Sequence, residues 1–472
     1  PLIGPAPGLP NVWLACGSGF GIGEGAGAGK LLAEWIVEGV PPMHMGAFDP
    51  RRFGDYADKE YRVAKAIEVF ANQFATHYPL EERAAGRPSK TSPVYSLLQD
   101  AGAIFGCVYG WELANWFADQ ATTQTLSFRR TEWFEAVARE CDQVANAVGV
   151  IDLSGFCKFE ISGVGAEKFL DRLSSNRIPS QIGEIRLCYF LNHSGTIECE
   201  FTISKFGDDR YYLNGAAAAE QHHLDWLNAH HSESDDCVLT NLTQARAVIG
   251  LCGPASRTVL SNLTSADLGN TTFPWLTGRW IRVLGYDVWA MRMSYTGELG
   301  WELHCLPEHQ LAIMHNLLEN ESVGHFGFYA MNALRMEKGY PAWGAELTIE
   351  NTPWEMQLHR FVDMENRAFM GRTALQKVMH AQSGQRLVLC TLETKDSDAI
   401  GGEAIFQNGC RVGVLLSGAY GHRVRRSLGF ALLNDKVDLD AGSLTAEILG
   451  EWLSLQTLDQ CPYDPQNHLP RS

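Results

Sequence analysis

Residues 292–304 read RMSYTGELGWELH. The preceding VWAMRMSY alternates in the manner of a strand, Gly297 supplies a turn, and WELH resumes as the returning strand. The pattern predicts a phenol, Tyr295, and a carboxylate, Glu298, at the mouth of a strand–turn–strand unit. Such a carboxylate can accept paired N–H donors from a heterocycle. A solvated hairpin tip carrying the same residues is the other reading of this stretch.

Outward from this unit, residues 126–365 alternate helices with strands. EWFEAVARECDQVANAVG has Phe134, Val137, Cys141, Val144 and Val148 on one helical face, with Gly149 expected at the C-cap. KFEISG and FTISKF are predicted strands, whereas AEKFLDRLSS and HQLAIMHNLLEN are predicted helices. From about residue 370, QRLVLCTLE, CRVGVLLSGAYG and SLGFALL are short strands between glycine turns, a pattern of a small β-barrel or sandwich. Residues 46–125 are rich in aromatics, from FDPRRFG to WELANWF. The 472 residues exceed one core, and a net charge of −17 argues against a nucleic-acid carrier. No apolar run is long enough to cross a bilayer. The twelve cysteines include no CxxC, so buried reduced thiols are expected and no metal site. The pairs His222-His223 and His230-His231 are expected at the surface, because adjacent helical residues diverge.

Near the beginning, GSGFGIGEGAGAGK (17–30) precedes an amphipathic LLAEWIVEG. A P-loop is excluded, since Glu24 stands where its first glycine belongs and Leu31 replaces the Ser or Thr. A nucleotide-facing glycine loop and a glycine-rich turn packing a helix on a sheet both remain open from these residues alone.

The ordered pieces FRRTEWFEAVARECDQVANAVGVIDLSGFCKFEISG, LNHSGTIECEFTIS, YYLNGAAAAEQHHLDWL, VIGLCGPASRTVL, SYTGELGWEL, NALRMEKGYPAWGAEL, MGRTAL and CPYDP resemble the glycine-cleavage T-protein (aminomethyltransferase). The chain resembles still more the dimethylglycine and sarcosine dehydrogenase family, in which that folate module follows a flavin amine oxidase. PLIGPAPGLPNVWLACGSGFGIGEGAGAGKLLAEWIVEG resembles the last segment of a D-amino-acid-oxidase-type FAD domain. The resemblance implies an α+β multidomain chain. It comprises a C-terminal edge of the FAD domain (1–45), a linking domain (46–125), a folate-binding T-protein-like domain (126–365) and a C-terminal small β-barrel (370–472). The pyrophosphate-binding βαβ unit is expected upstream of Pro1.

By resemblance, Glu298 and Tyr295 hold a pterin, and Tyr463 of CPYDP lies near it. Glu200, where the T-protein more often has aspartate, is the catalytic carboxylate near N10 of tetrahydrofolate. Met331 replaces a folate-binding arginine of the T-protein, a loss shared with the dehydrogenase branch. Arg335 is the nearest basic candidate for folate, with pairing to Glu337 or helix capping as its alternative. Gly19, Gly21 and Gly23 would let the backbone approach the flavin ring. The family oxidises an N-methyl amine at FAD and captures the carbon on tetrahydrofolate as 5,10-methylenetetrahydrofolate. The expected cofactors are therefore tetrahydrofolate and, in the intact protein but not retained by this chain, FAD. The expected partners are a small N-methylamine and folate, with no nucleic acid and no membrane, in a bacterial cytoplasm or mitochondrial matrix. A stand-alone aminomethyltransferase and a non-catalytic folate-binding protein are the rival readings. Tyr340 in MEKGYPAWGAE counts against the latter, whose relatives carry cysteine there.

Overall fold

The computed structural model describes residues 1–9, 11–119, 124–365, 367–381, 384–439 and 443–472. Its first unit is an antiparallel hairpin, Leu2–Pro5 with Trp13–Cys16, followed by the helix Gly21–Glu38. Trp35 packs beneath this hairpin with Ile3 and Met45, its ring edge-on to Trp13 at 5.7 Å. Gly39 closes the helix in the left-handed conformation, donating its N–H to the Trp35 carbonyl.

Here the structure corrects the sequence. The helix begins ten residues before Leu31, so Gly21 and Gly23 lie inside it and only Gly17 and Gly19 precede it. Each interior glycine costs about 1 kcal/mol relative to alanine, but none forbids helical dihedrals. The buried contacts of the C-terminal half, around Leu31, Leu32 and Trp35, extend the helix through them.

The aromatic region contributes a second hairpin, Ala103–Val108 with Trp111–Phe117, whose later strand is almost wholly buried. Two sheets form the body of the molecule. One has the spatial order Thr277–Val283, Tyr286–Arg292, Gly300–Cys305, Ala247–Cys252, Val148–Asp152, Val323–His325. All its neighbours are antiparallel except the last pair. The other is antiparallel throughout: Val238–Asn241, Cys157–Ser162, Arg210–Gly215, Ile197–Gly207, Ile185–Leu191.

Alternation along the second sheet sends Cys188, Phe190, Cys199 and Phe201 toward the helices Ala166–Leu173 and Glu220–Ala229. Tyr189 and Leu191 pack instead with Leu428 and Phe430 of the C-terminal unit. That unit is a closed six-stranded barrel built from Gln385–Leu392, Ala404–Gln407, Cys410–Gly421, Arg426–Asn434, Leu444–Ile448 and Glu451–Leu458. The chain is thus an α+β multidomain protein with a small β-barrel at its C-terminal end. No helix among the described residues is long and apolar enough to cross a membrane.

The helix read from EWFEAVARECDQVANAVG is Trp133–Asn146, and Val148 and Gly149 belong to the following strand. Gly149 is therefore not a cap. A side chain there would strike Val144 and Phe326, so glycine is what lets this strand lie close to the helix.

Candidate functional site

The predicted strand–turn–strand unit forms between Tyr286–Arg292 and Gly300–Cys305. Gly297 has φ of +83°, and a Cβ at this position would run into the methylenes of Lys338. Gly297→Ala is expected to destabilise the protein by about 1–2 kcal/mol, the cost of a left-handed L-residue. Urea denaturation reads this directly, and an unchanged midpoint would mean that the turn relaxes freely.

The turn buries Glu298 against two donors far away in sequence. Its Oε1 accepts from Arg423 Nη1 and from the Tyr463 hydroxyl, both at 2.6 Å. No donor among the described residues reaches Oε2. Arg423 is the hub: Nη2 donates to the carbonyls of Thr296 and Leu334, and Nε donates to Glu337. Its guanidinium carbon sits 3.6 Å from the centre of the Tyr463 ring, a cation–π contact. Burial pushes the Tyr463 phenol up, and its hydrogen bond to the Glu298 carboxylate adds to this.

Tyr295 donates its hydroxyl to the Pro341 carbonyl at 3.1 Å and stacks on Tyr340 at 5.9 Å. Burial raises its phenol, and the charges of Arg335, Glu200 and Glu346 all act on it. Glu200 lies opposite Tyr189 in the strand register, on the barrel side of the second sheet. Loss of hydration pushes its carboxyl up to about 7, the Tyr189 hydroxyl opposes the rise, and the Glu346 charge assists it.

Arg335 does not pair with Glu337. It makes a bidentate bridge to the fully buried Glu346, at 2.8 and 3.1 Å, and also donates to Asn332 and to the Tyr340 carbonyl. Glu346 further accepts the Ala342 N–H and the Ser417 hydroxyl. All three guanidinium nitrogens of Arg335 are thereby engaged within the protein. These bonds tie residues 340 and 346 to the helix Phe328–Glu337. Met331 packs into an apolar cluster beside Trp116 and Trp133, on the same helix.

The structure thus brings Tyr463 onto Glu298, on the turn that also carries Tyr295, and places Glu200 where its charge acts on Tyr295. It leaves Gly19, Gly21 and Gly23 elsewhere, exposed at the start of the first helix, where an added Cβ would meet no atom of the chain.

Sequence reasoning missed Arg423 and Glu346, and it considered Glu337 only as a partner of Arg335. Glu346 lay within a quoted motif, whereas Arg423 sits in GHRVRR, a turn with no pattern of its own. The expectation for the histidine pairs is also overturned: His223 is fully buried, and His222, His230 and His231 are half-buried. A carboxylate does stand beside the first pair, with Glu198 Oε1 at 3.0 Å from His222 Nε2. Between this sheet and the N-terminal unit lies a cavity of about 840 Å³, whose walls include Trp13, Trp35, Arg51, Glu198, His222 and Trp343.

This arrangement is matched by sequence. Residues 94–366 match the GCVT N-terminal domain, and residues 385–464 match the glycine cleavage T-protein C-terminal barrel domain. The chain belongs to the glycine cleavage T-protein family. Residues 38–92 in addition match the FAD dependent oxidoreductase central domain.

The chain is 38% identical to mitochondrial dimethylglycine dehydrogenase of Homo sapiens, over 96% of this chain and 53% of that protein. It is 30% identical to human mitochondrial sarcosine dehydrogenase, over 99% of this chain and 57% of the relative. The chain thus spans about half the length of these relatives. An aminomethyltransferase of Chloroherpeton thalassium is 30% identical, over 63% of this chain and 82% of its own length. The crystal structure of glycine cleavage system aminomethyltransferase T from Bartonella henselae superposes with a TM-score of 0.70 at 23% identity. That superposition covers 80% of this chain and 98% of that one, and establishes the shared fold. The resemblance to the dimethylglycine and sarcosine dehydrogenase family, with a T-protein module behind an oxidoreductase region, holds along nearly the whole chain.

Proposed function

We propose that this chain is the C-terminal portion of an FAD-dependent N-methylamine dehydrogenase of the dimethylglycine and sarcosine type. Its own task is to place a one-carbon unit on tetrahydrofolate, giving 5,10-methylenetetrahydrofolate. The observation that carries this reading is the buried Glu298, on the turn that also holds Tyr295, clamped by Arg423 and Tyr463 of the C-terminal unit.

The residues suit a reduced pterin. Glu298 is buried and fixed through one oxygen, which leaves Oε2 to accept N–H donors from a heterocycle. Tyr295 has already committed its proton to Pro341, so it offers its ring face and oxygen lone pairs. Tetrahydrofolate supplies two nucleophilic nitrogens, N5 and N10, between which the carbon is held. Glu200 serves near N10. With its carboxyl titrating at about 7, it is suited to take a proton there at neutral pH and return it. Arg335 and Glu346 fix residues 340–346 and so fix the stacking partner of Tyr295.

Amine oxidation belongs to FAD in the intact protein, and Gly19, Gly21 and Gly23, exposed with free space around them, are proposed to let the backbone approach the flavin ring there. The localisation proposed is a bacterial cytoplasm or mitochondrial matrix, with small molecules as partners. Calorimetric titration of the full chain with tetrahydrofolate tests the reading. Saturable heat is expected, greatly reduced in Glu298→Ala, and the chain alone should neither oxidise dimethylglycine nor show flavin absorbance. Folded protein giving no heat would end the proposal.

A further inference from the structure

We propose that Cys199, His222 and His223 form a zinc-type cation site, with Glu198 orienting His222. The cysteine comes from the strand Ile197–Gly207 and the histidines from the first turn of the helix Glu220–Ala229, which packs on that sheet. The Cys199 Sγ and one nitrogen from each imidazole all lie within 4.8 Å of one another. Consecutive helical residues diverge by about 100°, yet these two rings come within 5.4 Å of each other.

The geometry of the first histidine points to a ligand. His222 turns its Nε2 to Glu198 at 3.0 Å, leaving its Nδ1 to face Nδ1 of His223 at 3.1 Å. Two nitrogens bound tetrahedrally to zinc at about 2.0–2.1 Å stand about 3.3 Å apart, so the rings need little movement to share an ion. The carboxylate behind His222 supplies the outer contact by which a ligating imidazole is fixed in tautomer and direction. His223 is fully buried, so its ring is held in one place beside His222.

One sulfur and two imidazoles select zinc or cobalt over magnesium or calcium. His222 and Glu198 stand on the wall of the 840 Å³ cavity, which gives a hydrated ion its route and a water its place as fourth ligand. Binding replaces the Cys199 S–H bond with a sulfur–metal bond and releases the proton to solvent. Phe201 and Trp343 flank the His223 ring at 4.9 and 5.3 Å and keep it in place. The ion would cross-link helix to strand at the cavity wall, on the strand that also carries Glu200. This inference does not depend on the folate reading.

The test uses the full chain, stripped with a chelator, kept reduced, and titrated with Co²⁺. A thiolate-to-cobalt charge-transfer band with tetrahedral visible bands is expected, displaced by Zn²⁺, together with a rise in melting temperature on adding Zn²⁺. Cys199→Ser should abolish the charge-transfer band, and His223→Gln should weaken binding at least tenfold. Circular dichroism establishes that each variant is folded. If one is not, the wild-type cobalt spectrum and zinc content after dialysis decide the matter. Folded wild type with no band, or a band that survives Cys199→Ser, overturns the site.

Discussion

Glu200→Gln is expected to slow the formation of 5,10-methylenetetrahydrofolate by about 10²–10⁴-fold, the usual worth of a positioned proton-transfer group. The assay supplies tetrahydrofolate and an aminomethyl donor to the isolated chain, with folate affinity measured in parallel. Affinity should change only a few-fold, because Glu298 and its partners hold the pterin.

The pH dependence follows from the same carboxyl. Acting as a base, Glu200 must be ionised, so the wild-type rate should climb through about pH 7 and level off above it, while the glutamine variant stays flat. Stability runs the other way. Because burial raises this group in the folded state, its stabilising contribution is complete below the unfolded value near 4.5 and is lost as pH rises through about 7. Above that pH the variant should be more stable than wild type while far less active. A merely structural residue would not combine those two effects, and a variant that keeps its rate would remove Glu200 from the chemistry.

Arg423→Met should cost about 3–5 kcal/mol of stability, the range for breaking a buried ion pair from one side. One guanidinium serves both Glu298 and Glu337, and both carboxylates lie in the interior. Methionine fills much of the volume but leaves two charges without a counter-ion and frees the carbonyls of Thr296 and Leu334. Tetrahydrofolate binding should weaken by at least tenfold, since Glu298 would lose a donor to Oε1 and with it the fixed direction of Oε2. Adding Glu337→Gln should recover part of the stability but little of the binding. Urea denaturation and calorimetry separate the two effects. A loss below about 1 kcal/mol would mean that water screens this network as it screens surface pairs.

Together these two variants separate a proton-moving group from the frame that holds the ligand. Glu200 needs its elevated carboxyl, a product of desolvation assisted by the Glu346 charge. Glu298 needs a fixed direction, and two donors from the C-terminal part of the chain provide it.

The sequence by itself determined what is local. The YTGE turn, the strands KFEISG and FTISKF, the helices over 166–173 and 307–318, and the run of short C-terminal strands all follow from periodicities of two or 3.6 and from glycine placement. Tyr295 and Glu298 were legible because three residues of one turn place them. Tertiary structure alone decided what those groups touch. Arg423 reaches Glu298 across 125 positions and Tyr463 across 165, separations at which no pattern in the chain signals contact.

The same holds for the partner of Arg335, which is Glu346 rather than the nearby Glu337, and for Glu198 meeting His222 on another element. The glycine run failed differently. Local propensity spoke for a loop, and burial of Trp35 and its neighbours at the far end made it helix. Propensity differences amount to about 1 kcal/mol per residue, and a buried tryptophan with its contacts outweighs several of them.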